Sequence, residues 1–275
     1  MRVAVVGHIE WVEFARVARV PLTGEITQAR DSWEVPAGGG AVSAVQLARL
    51  AGEALLITAV GDDELGRRSV AELEELGVRV AAAVRAGEPT RRAFTFVDDD
   101  GERTITVIGP KLRPSRDEDL PWDELASMDA VFFIAGDADA VRSARAARVL
   151  AATPRELPTL AEAGVELDVL VGSARDEGER YEHGDIQPPP RLVVRTAGAQ
   201  GGTWAADGRS GTFQAVEPPG PVADTYGAGD SFAGGLTYAL GAGIPLEQAL
   251  ELAAACGATC LTGRGPYERQ LRLRD

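Results

Sequence analysis

The hydrophobic positions of this 275-residue chain form short continuous runs, separated by segments in which apolar residues recur every three or four positions. Such runs, rich in β-branched residues and flanked by Gly, Asp or Pro, are typical of strands buried on both faces. They cover residues 2–7, 54–60, 78–84, 129–136, 148–153, 168–172 and 191–196. Helical periodicity covers 41–51, 63–77, 139–147, 155–164, 228–242 and 245–262. The alternation predicts a single α/β domain over residues 1–275, with a mainly parallel central sheet and helices on both faces.

Two segments interrupt this alternation, at residues 14–35 and 91–108. Both have period-two patterning, and in the second the runs FTFV and TITVI are joined by a turn at 98–101. These segments predict a small antiparallel sheet beside the main one. It is expected to serve as a lid over one edge of the core, or as a contact in a homodimer.

Composition excludes several classes of function. The formal net charge of −14 argues against a nucleic-acid partner, which requires a basic surface. The chain contains no apolar run of about 18 residues, so no membrane partner is predicted. The N-terminal residues read as a strand rather than a signal peptide, so a cytoplasmic protein is expected. Cys256 and Cys260 are predicted to be core residues on one face of a helix.

The segment VADTYGAGDSFAGG, residues 222–235, places glycines and an acid at the predicted start of an apolar helix. The first amides of a helix lack intrahelical partners and carry partial positive charge, so an anion can approach them where glycine leaves room. Asp230 beside such an anion suggests a base acting on a hydroxyl that attacks a phosphate. The alternative is that Asp230 only complements the helix dipole and that the glycines form a tight turn.

DTYGAGDSFAGG closely resembles the DTxGAGDxFxGG motif of the ribokinase-like (PfkB) carbohydrate kinases. The resemblance extends over nearly the whole chain, through GGGAVSAVQLARLAG (38–52), ITAVGDDELGRRSVAELEELGV (57–78) and RTAGAQGG (195–202). It implies the ribokinase-like fold and an ATP-dependent, Mg²⁺-requiring phosphotransferase acting on a hydroxyl of a sugar or related small molecule. A P-loop is excluded, because Lys111 is the only lysine and no GxxxxGK[ST] is present.

The same resemblance implies roles for individual residues. Asp230 would be the general base, and Gly227, Ala228 and Gly229 would supply the amide cradle for the transferred phosphate. Thr196, Gly198 and Gly201 would lie along the nucleotide, and Gly39 and Gly40 would approach the sugar. Asp224 and Thr225 would help to hold a monovalent cation, although a local helix cap is an equal alternative.

The sequence departs from the family pattern at three places. Ser43 stands where the family usually has a sugar-binding Asn, and Glu10 and Glu13 replace an Asp that binds sugar hydroxyls. In the Mg²⁺-organising NxxE motif, Ser173 takes the Asn position and Asp176 the Glu position. Glu13, Ser173 and Asp176 have ordinary structural interpretations as well.

These departures leave the acceptor open. A nucleoside is the main alternative to a sugar, and a sugar phosphate would need basic groups, for which Arg16, Arg91 and Arg92 are candidates. A ligand-binding or sensor relative with weak catalysis is the alternative of another class. The intact GAGD turn argues against it, because a binding protein has no need of a carboxylate beside a phosphate.

Overall fold

A computed structural model describes residues 1–273 of the chain. The strands are β1 Val3–Val6, β2 Glu10–Arg16, β3 Asp31–Ala37, β4 Ala54–Gly61, β5 Val78–Arg85, β6 Arg92–Val97, β7 Arg103–Ile108, β8 Ala130–Phe133, β9 Val149–Ala152, β10 Val169–Ser173, β11 Leu192–Thr196, β12 Gly202–Ala206 and β13 Arg209–Phe213. The helices are α1 Gly39–Ala51, α2 Glu64–Glu75, α3 Ala138–Ala144, α4 Leu157–Ala163, α5 Ala228–Gly241 and α6 Leu246–Cys260.

The central sheet has nine strands in the order β13-β12-β11-β10-β9-β8-β1-β4-β5. All pairings from β11 to β5 are parallel, and these seven strands are the ones that the apolar runs predict. The predicted fold class is therefore confirmed. The antiparallel strands β12 and β13 extend one edge and were not predicted from the sequence. They meet at Asp207 and Gly208, both with positive φ, which is an Asp-Gly hairpin turn.

The core lies on both faces of this sheet. One apolar cluster joins its strands to α1, α5 and α6, and a second joins them to α3 and α4. Strand β1 contributes Val3 and Val5 to the first cluster, and Ala4 and Val6 to the second. This alternation is the period-two geometry of a strand, and burial of both faces explains why β1 reads as a continuous apolar run.

Two glycines allow α5 to pack closely against α1 and α6. A Cβ built on Gly235 would lie 2.7 Å from the sulfur of Cys256 in α6, and one on Gly234 would lie 3.1 Å from the carbonyl oxygen of Ser43 in α1. Side chains at these positions would push the helices apart. The glycines therefore fix the position of α5, and with it the position of the acid in its first turn.

The small sheet is formed by β3, β2, β6 and β7 in that order. The β3-β2 and β6-β7 pairings are antiparallel, and β2 and β6 run parallel. Val12, Phe14 and Val97 of this sheet pack with Tyr226 and Val42 in a third apolar cluster, which holds the small sheet against the main domain. A homodimer through this sheet stays a prediction. Within residues 1–273, the helices are too short or too polar to span a membrane.

Candidate active site

A cavity of about 410 Å³ opens between the two sheets, at the carboxyl ends of the parallel strands. His8, Thr153, Ser173 and Thr196 line it, and each lies at or just beyond the end of a strand of the central sheet. Ile105 and other residues of β7 line the opposite side. The edge beyond the carboxyl ends of the strands is the usual ligand site of an open α/β sheet.

The N-terminus of α5 faces this cavity. Gly227 is the N-cap with φ 80°, and no side chain caps the helix. A Cβ at Gly227 would lie 2.8 Å from a Pro266 carbon, whereas one at Gly229 would meet nothing within 4 Å. The first turn is thus backed by protein at Gly227 and open at Gly229. Its free amides and the helix dipole form a cradle suited to an anion.

Asp230 lies in the first turn of α5 and lines the cavity beside that cradle. Burial in the protein raises the pKa of its carboxyl to about 6, and the negative charge of Glu179 raises it further. Arg103 and Arg155 act in the opposite direction. A carboxyl with this pKa is ionised near neutral pH and remains more basic than an ordinary aspartate.

A second group of charged residues lies at the end of β10. Glu179 accepts a hydrogen bond of 2.6 Å from the backbone amide of Ser173, and one of 2.8 Å from Arg155 Nε. Arg155 also pairs with Asp176, whose other oxygen accepts from the amide of Gly178 at 2.9 Å. Asp176 and Glu179 therefore present two carboxylates to the cavity, held in place by one guanidinium.

A third group lies at the start of β2. Glu10 is buried, with its Oε1 3.3 Å from His8 Nε2 and 3.0 Å from Arg91 Nε. Lys111 Nζ lies 3.1 Å from the carboxylate of Glu156, which also pairs with Arg113 at 2.5 Å. His8, Glu10, Arg91 and Lys111 all line the cavity. Burial lowers the pKa of both His8 and Lys111.

The small sheet is linked to the segment that precedes α5. Arg103 of β7 donates to the hydroxyl of Thr225 at 3.2 Å, and that hydroxyl donates to the carbonyl of Gly101 at 3.1 Å. Arg16 of β2 donates to the carbonyl of Ala223 at 2.8 Å. Arg103 itself lines the cavity, so a cation from the small sheet lies close to the cradle.

The cavity brings together about half of the residues predicted as site residues. Those that line it are Asp230, Gly227, Gly229, Gly39, Glu10, Asp176 and Thr196. Those outside its lining are Ala228, Gly40, Ser43, Glu13, Gly198, Gly201, Thr225 and Asp224.

Two residues of α1 outside the lining support the site from behind. Ser43 is fully buried, and its hydroxyl donates to the backbone carbonyl of Asp230 at 3.1 Å, so it joins α1 to the first turn of α5. A Cβ on Gly40 would lie 2.5 Å from the carbonyl oxygen of His8, so glycine permits close approach of α1 to the chain after β1. Neither faces the cavity.

Other residues outside the lining make local contacts. Glu13 pairs with Arg92 at 2.5 Å, and both side chains are exposed. The fully buried Asp224 accepts from the amides of Tyr226 at 2.8 Å and Gly265 at 3.0 Å, so both its oxygens cap backbone groups. A Cβ on Gly201, where φ is 78°, would lie 2.0 Å from the carbonyl oxygen of Phe213. Gly198 begins a short turn after β11.

Sequence reasoning did not assign a role to five ionisable residues of the cavity: Glu179, Arg155, Arg103, Lys111 and His8. Glu179 lies six positions after Ser173, outside the spacing of the NxxE motif, and a short 3-10 turn at Glu177–Glu179 brings it back beside that residue. The sequence offers no signal for such a return. For Lys111 the sequence does offer one indication of a special role, because it is the only lysine in the chain.

Comparison with known proteins assigns this architecture to a class. The structure of Arabidopsis thaliana ribokinase complexed with ribose and ATP matches with a TM-score of 0.74 at 19% identity, covering 98% of this chain and 96% of that one. The arrangement of the central and small sheets is therefore the ribokinase fold.

Sequence comparison identifies the family. The chain matches the pfkB family carbohydrate kinases over residues 1–156 and 164–271. An ATP-dependent ribose-1-phosphate kinase from Halopiger xanaduensis is 31% identical over 290 residues, which cover 94% of this chain and 91% of that protein. A fructokinase from Salmonella typhimurium is 31% identical over 291 residues, covering 86% and 91%. The chain belongs to the pfkB family and is a carbohydrate kinase.

Proposed function

We propose that this kinase transfers the γ-phosphate of ATP to a hydroxyl of a sugar or related small molecule, with Asp230 as general base. The assignment of Asp230 as the base rests on one observation. The Asp230 carboxyl lies on the cavity wall and, in the same helical turn, beside the amides that form the anion cradle. It can therefore reach a bound hydroxyl next to a bound phosphate.

The reaction follows from this placement. Asp230 accepts the proton of the acceptor hydroxyl while that oxygen forms a bond to the γ-phosphorus. The bond between the γ-phosphorus and the bridging oxygen breaks, and ADP leaves with the electron pair. Amides of Gly227, Ala228 and Gly229 stabilise the charge on the transferred group, and the guanidinium of Arg103 lies close enough to assist.

The two carboxylates at the end of β10 fit a magnesium ion. Mg²⁺ binds one or two carboxylates together with substrate phosphates and keeps several waters, so Asp176 and Glu179 would be its donors here. Arg155, which pairs with both carboxylates, would have to move aside for the ion. When bound, the ion would neutralise charge on the nucleotide phosphates. Residues 1–273 contain no cluster of three or more Asp, Glu, His or Cys side chains suited to a metal. A monovalent cation near Asp224 and Thr225 stays a prediction.

The nucleotide is proposed to follow the loop after β11. Thr196 faces the cavity, and Gly198 and Gly201 lie in the turn that leads into β12. A relative's structure contains ATP and ribose, which supports the same pair of ligand classes for this chain. Ile105 and Val107 of the small sheet line the opposite wall and would help to exclude water, which otherwise competes with the acceptor for the phosphate.

The test measures ADP release from Mg-ATP with a panel of sugars, sugar phosphates and nucleosides. Wild type is compared with Asp230→Asn and with Glu247→Gln, a control that neutralises the exposed first-turn acid of α6. We expect acceptor-dependent ADP release that falls by at least about a thousandfold in Asp230→Asn and is unchanged in the control. Retention of turnover in Asp230→Asn would refute the assigned base.

The same panel tests the other candidates. Turnover restricted to nucleosides would make this chain a nucleoside kinase of the same fold. Saturable ligand binding, with equally negligible turnover in wild type and Asp230→Asn, would favour a binding or sensor protein that retains the family fold.

A further inference from the structure

The cavity has a cationic end that the phosphoryl-transfer reaction does not use. Gly38 and Gly39 are adjacent in the chain, yet a Cβ on Gly38 would lie 3.1 Å from Glu10 Cγ, and one on Gly39 would lie 2.9 Å from Asp230 Oδ1. The group around Glu10 and the proposed base therefore lie on either side of the start of α1. An acceptor that offers a hydroxyl to Asp230 would direct its other end toward Arg91 and Lys111.

The charges at this end do not balance. Arg91, Lys111 and Arg113 carry three positive charges, while Glu10 and Glu156 carry two negative ones. Glu156 is 1% exposed and lies between Lys111 and Arg113, so it neutralises at most one of these two charges. The group therefore carries one net positive charge; Arg91 and Lys111 line the cavity, whereas Arg113 is 44% exposed and lies outside its lining.

Two buried nitrogen atoms at this end are also left without hydrogen-bond partners. The side chain of Arg91 is 14% exposed, and although its Nε lies 3.0 Å from Glu10 Oε1, the alignment is poor and Nε has no hydrogen-bond partner within residues 1–273. His8 is 8% exposed, and its Nδ1 is likewise without a partner in that part of the chain. Unpaired buried polar groups are costly, and a guanidinium is best satisfied by an anion with two acceptor oxygens.

We propose that the acceptor carries an anionic group, bound by Arg91 and Lys111 at the end of the cavity away from the reacting hydroxyl. This inference rests on the kinase reaction proposed above. Arg91 supplies a planar pair of donors and Lys111 a compact point charge. Glu10 orients Arg91 and His8. A phosphate monoester and a sugar carboxylate share this chemistry, and the experiment separates them.

The experiment compares matched acceptors. Ribose is paired with ribose 1-phosphate and ribose 5-phosphate, fructose with its 1- and 6-phosphates, and glucose with gluconate and glucuronate. Steady-state ADP release gives kcat and KM for each. We expect kcat/KM to be at least about tenfold higher for an anionic member than for its neutral parent, since charged hydrogen bonds contribute about 1.5–3 kcal/mol. The phosphate and carboxylate arms identify which anion is used.

Three variants test the residues. Arg91→Met and Lys111→Met should each lower the ratio of anionic to neutral kcat/KM by about 10- to 100-fold, mainly through KM. The matched control is Arg92→Met, which removes the neighbouring arginine that pairs with Glu13 outside the cavity and should leave the ratio unchanged. Thermal unfolding of each variant verifies that the protein is folded.

The outcomes separate the two proposals. Equal or higher kcat/KM for the neutral parent in every pair overturns the anionic-acceptor inference and leaves the kinase assignment intact. An unchanged ratio in both Arg91→Met and Lys111→Met also overturns it. If no acceptor supports ADP release, the kinase proposal fails, and calorimetric titration of ribose 1-phosphate and fructose 6-phosphate decides the inference. No binding of either overturns it, and binding that is lost in Arg91→Met supports it.

Discussion

Replacing Asp230 with asparagine should stabilise the protein while it removes turnover. The folded state raises the pKa of this carboxyl from 3.8 to about 6, so the ionised form is disfavoured on folding. A shift of about two pH units corresponds to roughly 3 kcal/mol at 1.36 kcal/mol per unit. The carboxyl faces an open cavity and is partly exposed, so solvent screening reduces this value. We expect the free energy of unfolding of Asp230→Asn to exceed that of wild type by about 1–2 kcal/mol at pH 8.

The sign of the pH dependence makes this prediction specific. Below the unfolded pKa of about 4, both states bind the proton and Asp230 costs nothing. Between about pH 4 and pH 6 the folded state holds the proton more tightly than the unfolded state, so wild type loses stability relative to Asp230→Asn as pH rises. Above about pH 6 the difference is constant. At pH 5 the difference in free energy of unfolding between Asp230→Asn and wild type should be roughly half of its value at pH 8.

The assay is urea unfolding of wild type, Asp230→Asn and Glu247→Gln between pH 5 and pH 8. Glu247 is the exposed first-turn acid of α6, and its replacement should change the free energy of unfolding by less than about 0.5 kcal/mol. A gain in Asp230→Asn that is the same at pH 5 and pH 8 would refute the reasoning. So would a loss of stability in this variant, since it would mean that the folded state favours the charged carboxylate.

Three other predictions concern the same helix. Because Asp230 must be ionised to act as a base, kcat/KM should rise about tenfold per pH unit up to about pH 6 and then level off; a profile that is flat down to pH 4.5 contradicts this. Gly229→Ala places a methyl group in open space in the cradle, so the free energy of unfolding should stay the same or rise by about 0.5–1 kcal/mol. The methyl group should nevertheless lower kcat/KM at least tenfold, and unchanged kinetics would argue against the cradle. Gly235→Ala should cost about 1–3 kcal/mol, because its Cβ would lie 2.7 Å from the sulfur of Cys256. Adding Cys256→Ala should recover much of that loss, and strictly additive effects in the double-mutant cycle would exclude the contact.

The parallel sheet was predictable because its strands are buried on both faces and so appear as continuous apolar runs. Its antiparallel edge was missed, although the sequence around Asp207 and Gly208 contains a hairpin signal. Strands β12 and β13 are partly exposed and carry mixed residues, so periodicity identifies them less well than the interior strands.

The acid and cradle of the site were predictable because they lie in one contiguous motif whose chemistry depends on local helix geometry. Of the cationic end only Arg91 was named as a candidate, because His8, Arg91, Lys111 and Glu156 come from four separate segments that only the tertiary fold brings together. Ser43 is a different case, in which a residue of a recognisable motif has a structural contact that the motif does not indicate. Its position in the motif suggested a substrate contact, whereas its hydroxyl is used to join two helices.

Lys111 gives this protein an unusual chemical property. It is the only lysine in the chain, and its ammonium group lies on the cavity wall with its pKa lowered by burial. Amine-directed acylation therefore has a single side-chain target, one whose accessibility depends on what fills the cavity. Protection of Lys111 from acylation would therefore report that a ligand occupies the cavity, without any engineered cysteine.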